Sequence, residues 1–227
     1  MENQPIIVLS NLSVFQKNKL VLTNVNLEIN QGEFIYMIGK TGSGKSSLMQ
    51  ILYADLPIEE GHANICGYDI ETIKQKSLPF LRRKLGIVFQ DFQLLDDRTI
   101  KQNLEFVLKA TGWKDKKLIE NRILEVLDEV ELIEKLNVMP HQLSGGEQQR
   151  VSIARAIAGK PKILFADEPT ANLDTVSGNQ VIDLIAKVNK EENQTVVMVT
   201  HEREYAMGCD RIIHMEDGVV VDVEYLK

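Results

Sequence analysis

Much that would sort this sequence into a class is missing from it. In 227 residues there are two cysteines, Cys66 and Cys209, too few and too widely separated for a disulfide framework and in no metal-ligand spacing. Reduced thiols in a cytosolic protein are the expectation. Long basic runs are missing too. With 26 Lys and Arg against 33 Asp and Glu, the net charge is −7. The phosphate-neutralising surface of a nonspecific DNA binder is therefore not on offer, and no nucleic-acid partner is expected. No stretch approaches the about 18 consecutive apolar residues that a membrane span requires. Residues 1 to 5 lack the basic start of a signal peptide, so a role at a membrane would have to come through a partner. Neither internal repeats nor low-complexity segments are evident. What remains is a length that suits one α/β domain with a sizeable core.

One stretch then organises the chain. Gly39-Lys40-Thr41-Gly42-Ser43-Gly44-Lys45-Ser46 fits the phosphate-loop pattern G-x-x-x-x-G-K-[ST] at every fixed position. Phe34 to Ile38 reads as a short buried strand leading in, and Ser47 to Leu52 as a helix leading out. Gly39, Gly42 and Gly44 are free to take the positive φ values that turn successive N–H groups toward one anion. The helix N-terminus behind them adds unpaired donors and partial positive charge. Residues 39 to 47, Ser47 included, are thus the expected triphosphate cradle, with Lys45 reaching the β and γ phosphates and Ser46 ligating Mg²⁺.

Other apolar strands deliver polar residues at their carboxyl ends, where open α/β sheets place ligand contacts. Gly86 to Phe89 ends in Gln90. Lys162 to Ala166 ends in Asp167 and Glu168, the first expected to help hold Mg²⁺ and the second to polarise an attacking water. Thr195 to Val199 ends in Thr200-His201, which favours a role for His201 at the γ-phosphate. Between them, Thr99 to about Asn137 carries Ile119, Ile123, Leu127 and Val130 at helical spacing, which predicts two or three helices. Leu143 to Arg150 opens another helix, with Ser144 and Glu147 spaced as a capping box. Gly145 and Gly146 cost that first turn about 1 kcal/mol each against alanine. Close approach of backbone to a ligand would explain them, giving a second anion site at a helix N-terminus. Since the chain has one phosphate loop, that second site is expected to serve another copy. Toward the N-terminus, Val25, Leu27 and Ile29 alternate with Asn24, Asn26 and Glu28 as in a half-buried antiparallel strand, and Phe15 lies nearby, suited equally to core packing and to stacking on a purine. Arg211 to Met215 and Val219 to Val223 flank a hairpin signal at 216–218.

Taken together these motifs resemble, essentially end to end, the ATP-binding subunit of an ABC transporter. Residues 39–46 are similar to Walker A, Gln90 to the Q-loop, 143–150 to the signature motif, 162–168 to Walker B, 171–174 to the D-loop and His201 to the switch histidine. The resemblance implies a P-loop α/β fold with a mainly parallel core sheet, an N-terminal antiparallel β subdomain and an α-helical subdomain inserted at roughly 91–160. It implies an Mg²⁺-dependent ATPase working as a homodimer, two ATP molecules being held between Walker A of one copy and Ser144, Gly145, Gly146 and Glu147 of the other. Glu168 would be the general base, Gln90 a further Mg²⁺ contact and, with His201, a sensor of γ-phosphate, and Phe15 the base-stacking ring. Residues 81–86 and 88–99 are especially similar to the cell-division branch of the family, whose ATPase sits on the cytoplasmic face of the cell membrane and drives an integral membrane protein. Lipoprotein-release and macrolide-export ATPases resemble the remainder almost as well. Soluble relatives that act on DNA or ribosomes carry long coiled coils, zinc cysteines or paired ATPase domains, and none is present here. Phe92, Leu94 and Leu95 are apolar in an apparent loop, which suits either packing between lobes or a docking groove formed by Phe92 and Leu95.

Overall fold

The computed structural model describes residues 5–16, 19–200 and 208–226. Two sheets result. Strands β1 (Pro5–Gln16) and β2 (Lys19–Asn30) pair antiparallel and, with β4 (Glu60–Ile65) and β5 (Tyr68–Asp69), make a four-stranded sheet in the order β2-β1-β4-β5. Along β2 the alternation buries Val25, Leu27 and Ile29 while Asn24, Asn26 and Glu28 face out. It slips once. Leu22 rather than Val21 is fully buried, because the pairing with β1 shifts register around Asn24, whose φ is 47°. The shift is held by side chains: Asn24 N–H donates to Ser13 Oγ at 3.1 Å, and Asn11 N–H to Asn26 Oδ1 at 2.9 Å.

The second sheet has the order β10-β9-β3-β8-β7-β6. Its members are β3 (Phe34–Ile38), β6 (Leu85–Val88), β7 (Ile163–Asp167), β8 (Thr195–Val199), β9 (Arg211–Glu216) and β10 (Val219–Tyr225). All neighbours are parallel except β9 and β10, which form a hairpin. The inner strands are covered on both faces, which is why they read as unbroken apolar runs. Alternate residues of β3 enter different cores. Phe34, Tyr36 and Ile38 pack toward the helices, whereas Ile35 and Met37 pack between the two sheets around helix α1 (Lys45–Leu52).

After the short α2 (Leu78–Arg82), helices α3 (Ile100–Ala110), α4 (Lys116–Glu129) and α5 (Gly145–Ala158) lie between β6 and β7 in the chain. Ile119, Ile123, Leu127 and Val130 are all buried among them. Each start is capped by a side chain: Thr99 with Gln102, Asp115, and Ser144 with Glu147. Arg122 of α4 is almost fully buried and donates to the carbonyls of Ile157 and Ala158 at 3.0 and 3.1 Å, a cation satisfying the C-terminal end of α5. Helix α6 (Thr175–Glu192), capped by Asp174, follows directly on residues 171–174. Its buried Val181, Ile182, Leu184, Ile185 and Val188 carry a helical period that was there to be read.

Because β3, β6, β7 and β8 run parallel, their carboxyl ends share one rim of the sheet. Gly39, Gln90, Glu168 and Thr200 follow from that rim.

Candidate nucleotide site

Between β3 and α1 the phosphate loop wraps the mouth of a cleft of about 590 Å³. Thr41, Gly42, Gly44, Lys45, Ser46 and Ser47 line it, with Glu168 opposite. Gly42 and Gly44 have φ of 84° and 99°, the left-handed values that let the loop present its N–H groups inward. Glycine is needed at Gly39 for a different reason: a Cβ there would collide with the carbonyl of Met215. The Lys45 ammonium lies inside the loop's curve, donating to the carbonyls of Gly39 at 2.6 Å and Lys40 at 3.0 Å. Burial lowers its pKa, and the carboxylates of Glu168 and Asp167 act against that shift. A lysine, two acids and a helix N-terminus are therefore within electrostatic reach of one another.

The far wall comes from the last hairpin. Asp217 and Gly218 have φ of 46° and 81°, as a two-residue type I′ turn requires. Gly218 N–H donates to Ser43 O at 3.0 Å, and Thr23 N–H donates to Gly218 O at 2.8 Å. The turn is thereby tied both to the phosphate loop and to β2, and Asp217 and Gly218 join Leu20 and Val21 in lining the cleft. Sequence reasoning missed these four. The hairpin signal identified the turn, but nothing local to it indicated what it would lie against.

Glu168 leaves β7 with a φ of 46°, an uncommon value for a side-chain-bearing residue, and its N–H donates to Val199 O at 3.0 Å. Asp167 still belongs to the strand, paired with Val199. Ser46 presents an exposed hydroxyl at the start of α1. Ser46 and Asp167 are oxygen donors, the chemistry that suits Mg²⁺.

Other expected residues lie outside this lining. Gln90 is exposed at the end of β6, its carbonyl accepting from Asn172 Nδ2 at 3.0 Å. Phe15 is half-buried near the end of β1, directly across from Leu20, which does line the cleft. His201 falls outside the described residues. Ser144 to Glu147 do not reach the cleft of their own chain.

The capping box at residues 144–147 is present in full: Glu147 N–H donates to Ser144 Oγ at 3.3 Å and Ser144 N–H to Glu147 Oε2 at 2.8 Å. Its two glycines differ, which corrects the single explanation offered for both. A Cβ on Gly146 would sit 2.9 Å from Ser177 Oγ and 3.1 Å from Ser177 Cβ, so close packing of α5 on α6 already accounts for that glycine. Ser177 cannot readily yield, since its hydroxyl donates to Asp174 Oδ2 at 2.7 Å. At Gly145 the nearest atom would be Leu173 Cδ2 at 3.7 Å, which is ordinary contact. Gly146→Ala is accordingly expected to lower stability by about 1–3 kcal/mol. Gly145→Ala should leave the melting temperature unchanged or raised, because alanine favours the helix by about 1 kcal/mol. Thermal melts of the two variants side by side check this.

The loop after Gln90 is fastened to α5. Ser152 Oγ and Arg155 Nη2 donate to Phe92 O at 3.2 and 2.9 Å, and Arg155 Nη1 donates to Gln93 O. Beside this loop is a second, mainly apolar groove of about 360 Å³ that includes Leu85, Ile87, Phe89, Leu95 and Phe106. Phe106 is 49% exposed. Leu94 instead packs against the core, and Phe92 is not part of the groove wall: its ring tip lies 4.0 Å from where a side chain on Gly145 would begin. Of the pair expected to form a groove, Leu95 alone does so.

An anion cradle facing a strand that ends in two carboxylates, in a parallel sheet of this order, defines a phosphate-loop nucleoside triphosphatase. The family model described as ABC transporter matches residues 22–171. The cell division ATP-binding protein FtsE of Bacillus subtilis is 43% identical over 201 residues, 88% of this chain and 87% of that protein. The methionine import ATP-binding protein MetN of Carboxydothermus hydrogenoformans is 40% identical over 221 residues, 96% of this chain and 65% of that one. Among solved structures, a dimer of the ATP-binding cassette MJ0796 in a post-hydrolysis state with ADP and Pi has a TM-score of 0.87 at 38% identity, covering 97% of this chain and 99% of that one. The chain belongs to the ABC transporter family, as one of its ATP-hydrolysing subunits.

Proposed function

We propose that this protein is the FtsE-type motor of a cell-division complex. Two copies close head to tail over two Mg²⁺-ATP, and the closure drives an FtsX-like integral membrane protein from the cytoplasmic face of the membrane, through which peptidoglycan hydrolysis is regulated. One observation carries the two-copy reading: the phosphate loop and the acidic strand end share a cleft that the signature turn of the same chain does not enter. A solved relative of the same fold is described as a dimer with ADP and Pi. The cell-division assignment is supported by FtsE relatives from Bacillus subtilis and Streptococcus pneumoniae, the latter 38% identical over 208 residues.

In this reading the loop N–H groups and Lys45 bind the β and γ phosphates. Ser46 and Asp167, with Gln90, would hold Mg²⁺, which would supply charge neutralisation at the phosphates. Glu168 accepts the proton of the attacking water, and His201 and Gln90 report the state of the γ-phosphate. Phe15 stacks on the base in this reading, a role supported by its pairing across from Leu20 of the cleft lining. Residues 91–160 move as one lobe, since Ser152 and Arg155 fasten the loop after Gln90 to the helix that begins with the signature turn. The membrane partner docks in the groove beside that loop. Leu95→Ser and Phe106→Ser are therefore expected to weaken capture of the membrane partner about tenfold or more, as loss of an apolar anchor does, with ATP binding retained. Pull-down of detergent-solubilised partner, alongside a nucleotide-binding assay, reads both.

The MetN relatives make import of a small molecule the second reading, because their identity is comparable. Depletion of the protein separates the two. Filamentous cells with normal methionine uptake support the division role, and impaired uptake in cells that divide normally overturns it.

A further inference from the structure

The signature turn carries an anion of its own. An α-helix leaves its first N–H groups unpaired, and that partial positive charge is what recommends a helix start to a phosphate. Glu147 lies in the first turn of α5, where an uncompensated carboxylate would repel an incoming triphosphate. Both of its oxygens are engaged. Oε2 accepts from Ser144 N–H at 2.8 Å, and Oε1 lies 3.2 Å from Lys135 Nζ. Lys135 closes a one-turn 3₁₀ helix (Ile133–Lys135) between α4 and α5, and nothing in the motif pattern of the chain points to it. The two side chains are 32% and 23% exposed, so solvent screens the pair in part. The carboxyl is held below its usual pKa range first by the Ser144 N–H and to a lesser degree by Lys135, with burial opposing. It is therefore ionised at neutral pH, with the Lys135 ammonium beside it.

We propose that Lys135 is a positioning residue of the shared ATP site: it offsets the charge of Glu147 and holds that carboxylate back on Ser144, so the signature turn meets the triphosphate of a second copy through the N–H groups of Gly145 and Gly146, with no facing anion. The inference rests on the two-copy reading above. Glutamate at this position and the lysine form one device. The acid orders the turn by capping it, and the base removes the electrostatic penalty that the acid would otherwise impose on the ligand.

The test is a double-mutant cycle on the full chain, read by ATPase activity against Mg²⁺-ATP concentration and by ATP-dependent dimerisation in a Glu168→Gln background. Lys135→Ala is expected to raise the half-saturating ATP concentration about two- to fivefold, the range for one charge at a helix start, with kcat changed less. Lys135→Arg should restore it. With Glu147→Gln already in place, Lys135→Ala should produce a clearly smaller shift, because no carboxylate remains to be held back on Ser144 and only the lysine's own screened charge is lost. A merely structural lysine would lower the melting temperature and kcat alike and would act equally in both backgrounds, and that result overturns the proposal. So does an unchanged half-saturation in Lys135→Ala. Ser144→Arg supplies the separate check. If it blocks ATP-dependent dimerisation while Lys135→Ala is silent, the two-copy reading stands and the role of Lys135 falls. If Ser144→Arg dimerises like the parent, the two-copy reading itself fails and takes the proposal with it.

Discussion

Glu168→Gln is expected to bind ATP and to hydrolyse it at least about a hundredfold more slowly, the lower bound for loss of a positioned general base. The amide keeps the shape of the side chain and its place in the cleft, and it gives up the proton acceptor. Its backbone setting should survive, because the left-handed φ of 46° and the 3.0 Å bond from its N–H to Val199 O do not involve the carboxylate. With chemistry blocked and both halves of the shared site intact, the variant should accumulate as an ATP-bound dimer. Size-exclusion chromatography with and without Mg²⁺-ATP, beside single-turnover hydrolysis, measures this. Turnover at the parent rate would remove Glu168 from the mechanism.

Lys45→Ala should lose productive ATP binding, by about a hundredfold or more in affinity, since charge-assisted contacts of this kind contribute roughly 1.5–3 kcal/mol each. The ammonium donates to the carbonyls of Gly39 and Lys40, which hold it inside the loop. A phosphate oxygen bearing full negative charge is a stronger acceptor than either. Alanine removes the cation and also releases those carbonyls to solvent at the open cleft, so the fold should persist. Ligand-induced stabilisation tests it directly. A ligand at a hundredfold excess over its Kd stabilises the native state by about 2.7 kcal/mol, and the variant should show no such rise in melting temperature at the same ATP concentration. An undiminished rise would overturn the phosphate-loop assignment.

How far these residues were legible in the sequence depended on how local their chemistry is. The phosphate loop, the capping box at Ser144 and the acidic end of β7 are each specified within a few consecutive residues, and the structure has each of them where the pattern puts it. The core strands were legible for the same reason: a fully buried parallel strand is a short apolar run between breakers. Helix α6 carries a local signal of the same kind, a cap at Asp174 followed by an apolar face that recurs regularly. Other residues were out of reach. The reason for Gly146 lies in Ser177 on another helix, the wall opposite the loop comes from Asp217 and Gly218, and the carbonyl of Phe92 is held by Ser152 and Arg155 of α5. Such facts belong to pairs of distant segments, and no single-stretch pattern encodes them.

The bond from Gly218 to Ser43, with Met215 against Gly39, has a bearing on the birth of the protein. During synthesis the phosphate loop leaves the ribosome early, with β3 still missing its neighbours β8 and β9 and the cleft missing its far wall. Pairings so remote in the chain form late. A nascent chain therefore carries the complete nucleotide motif well before it carries Asp217 and Gly218, which complete the cleft lining.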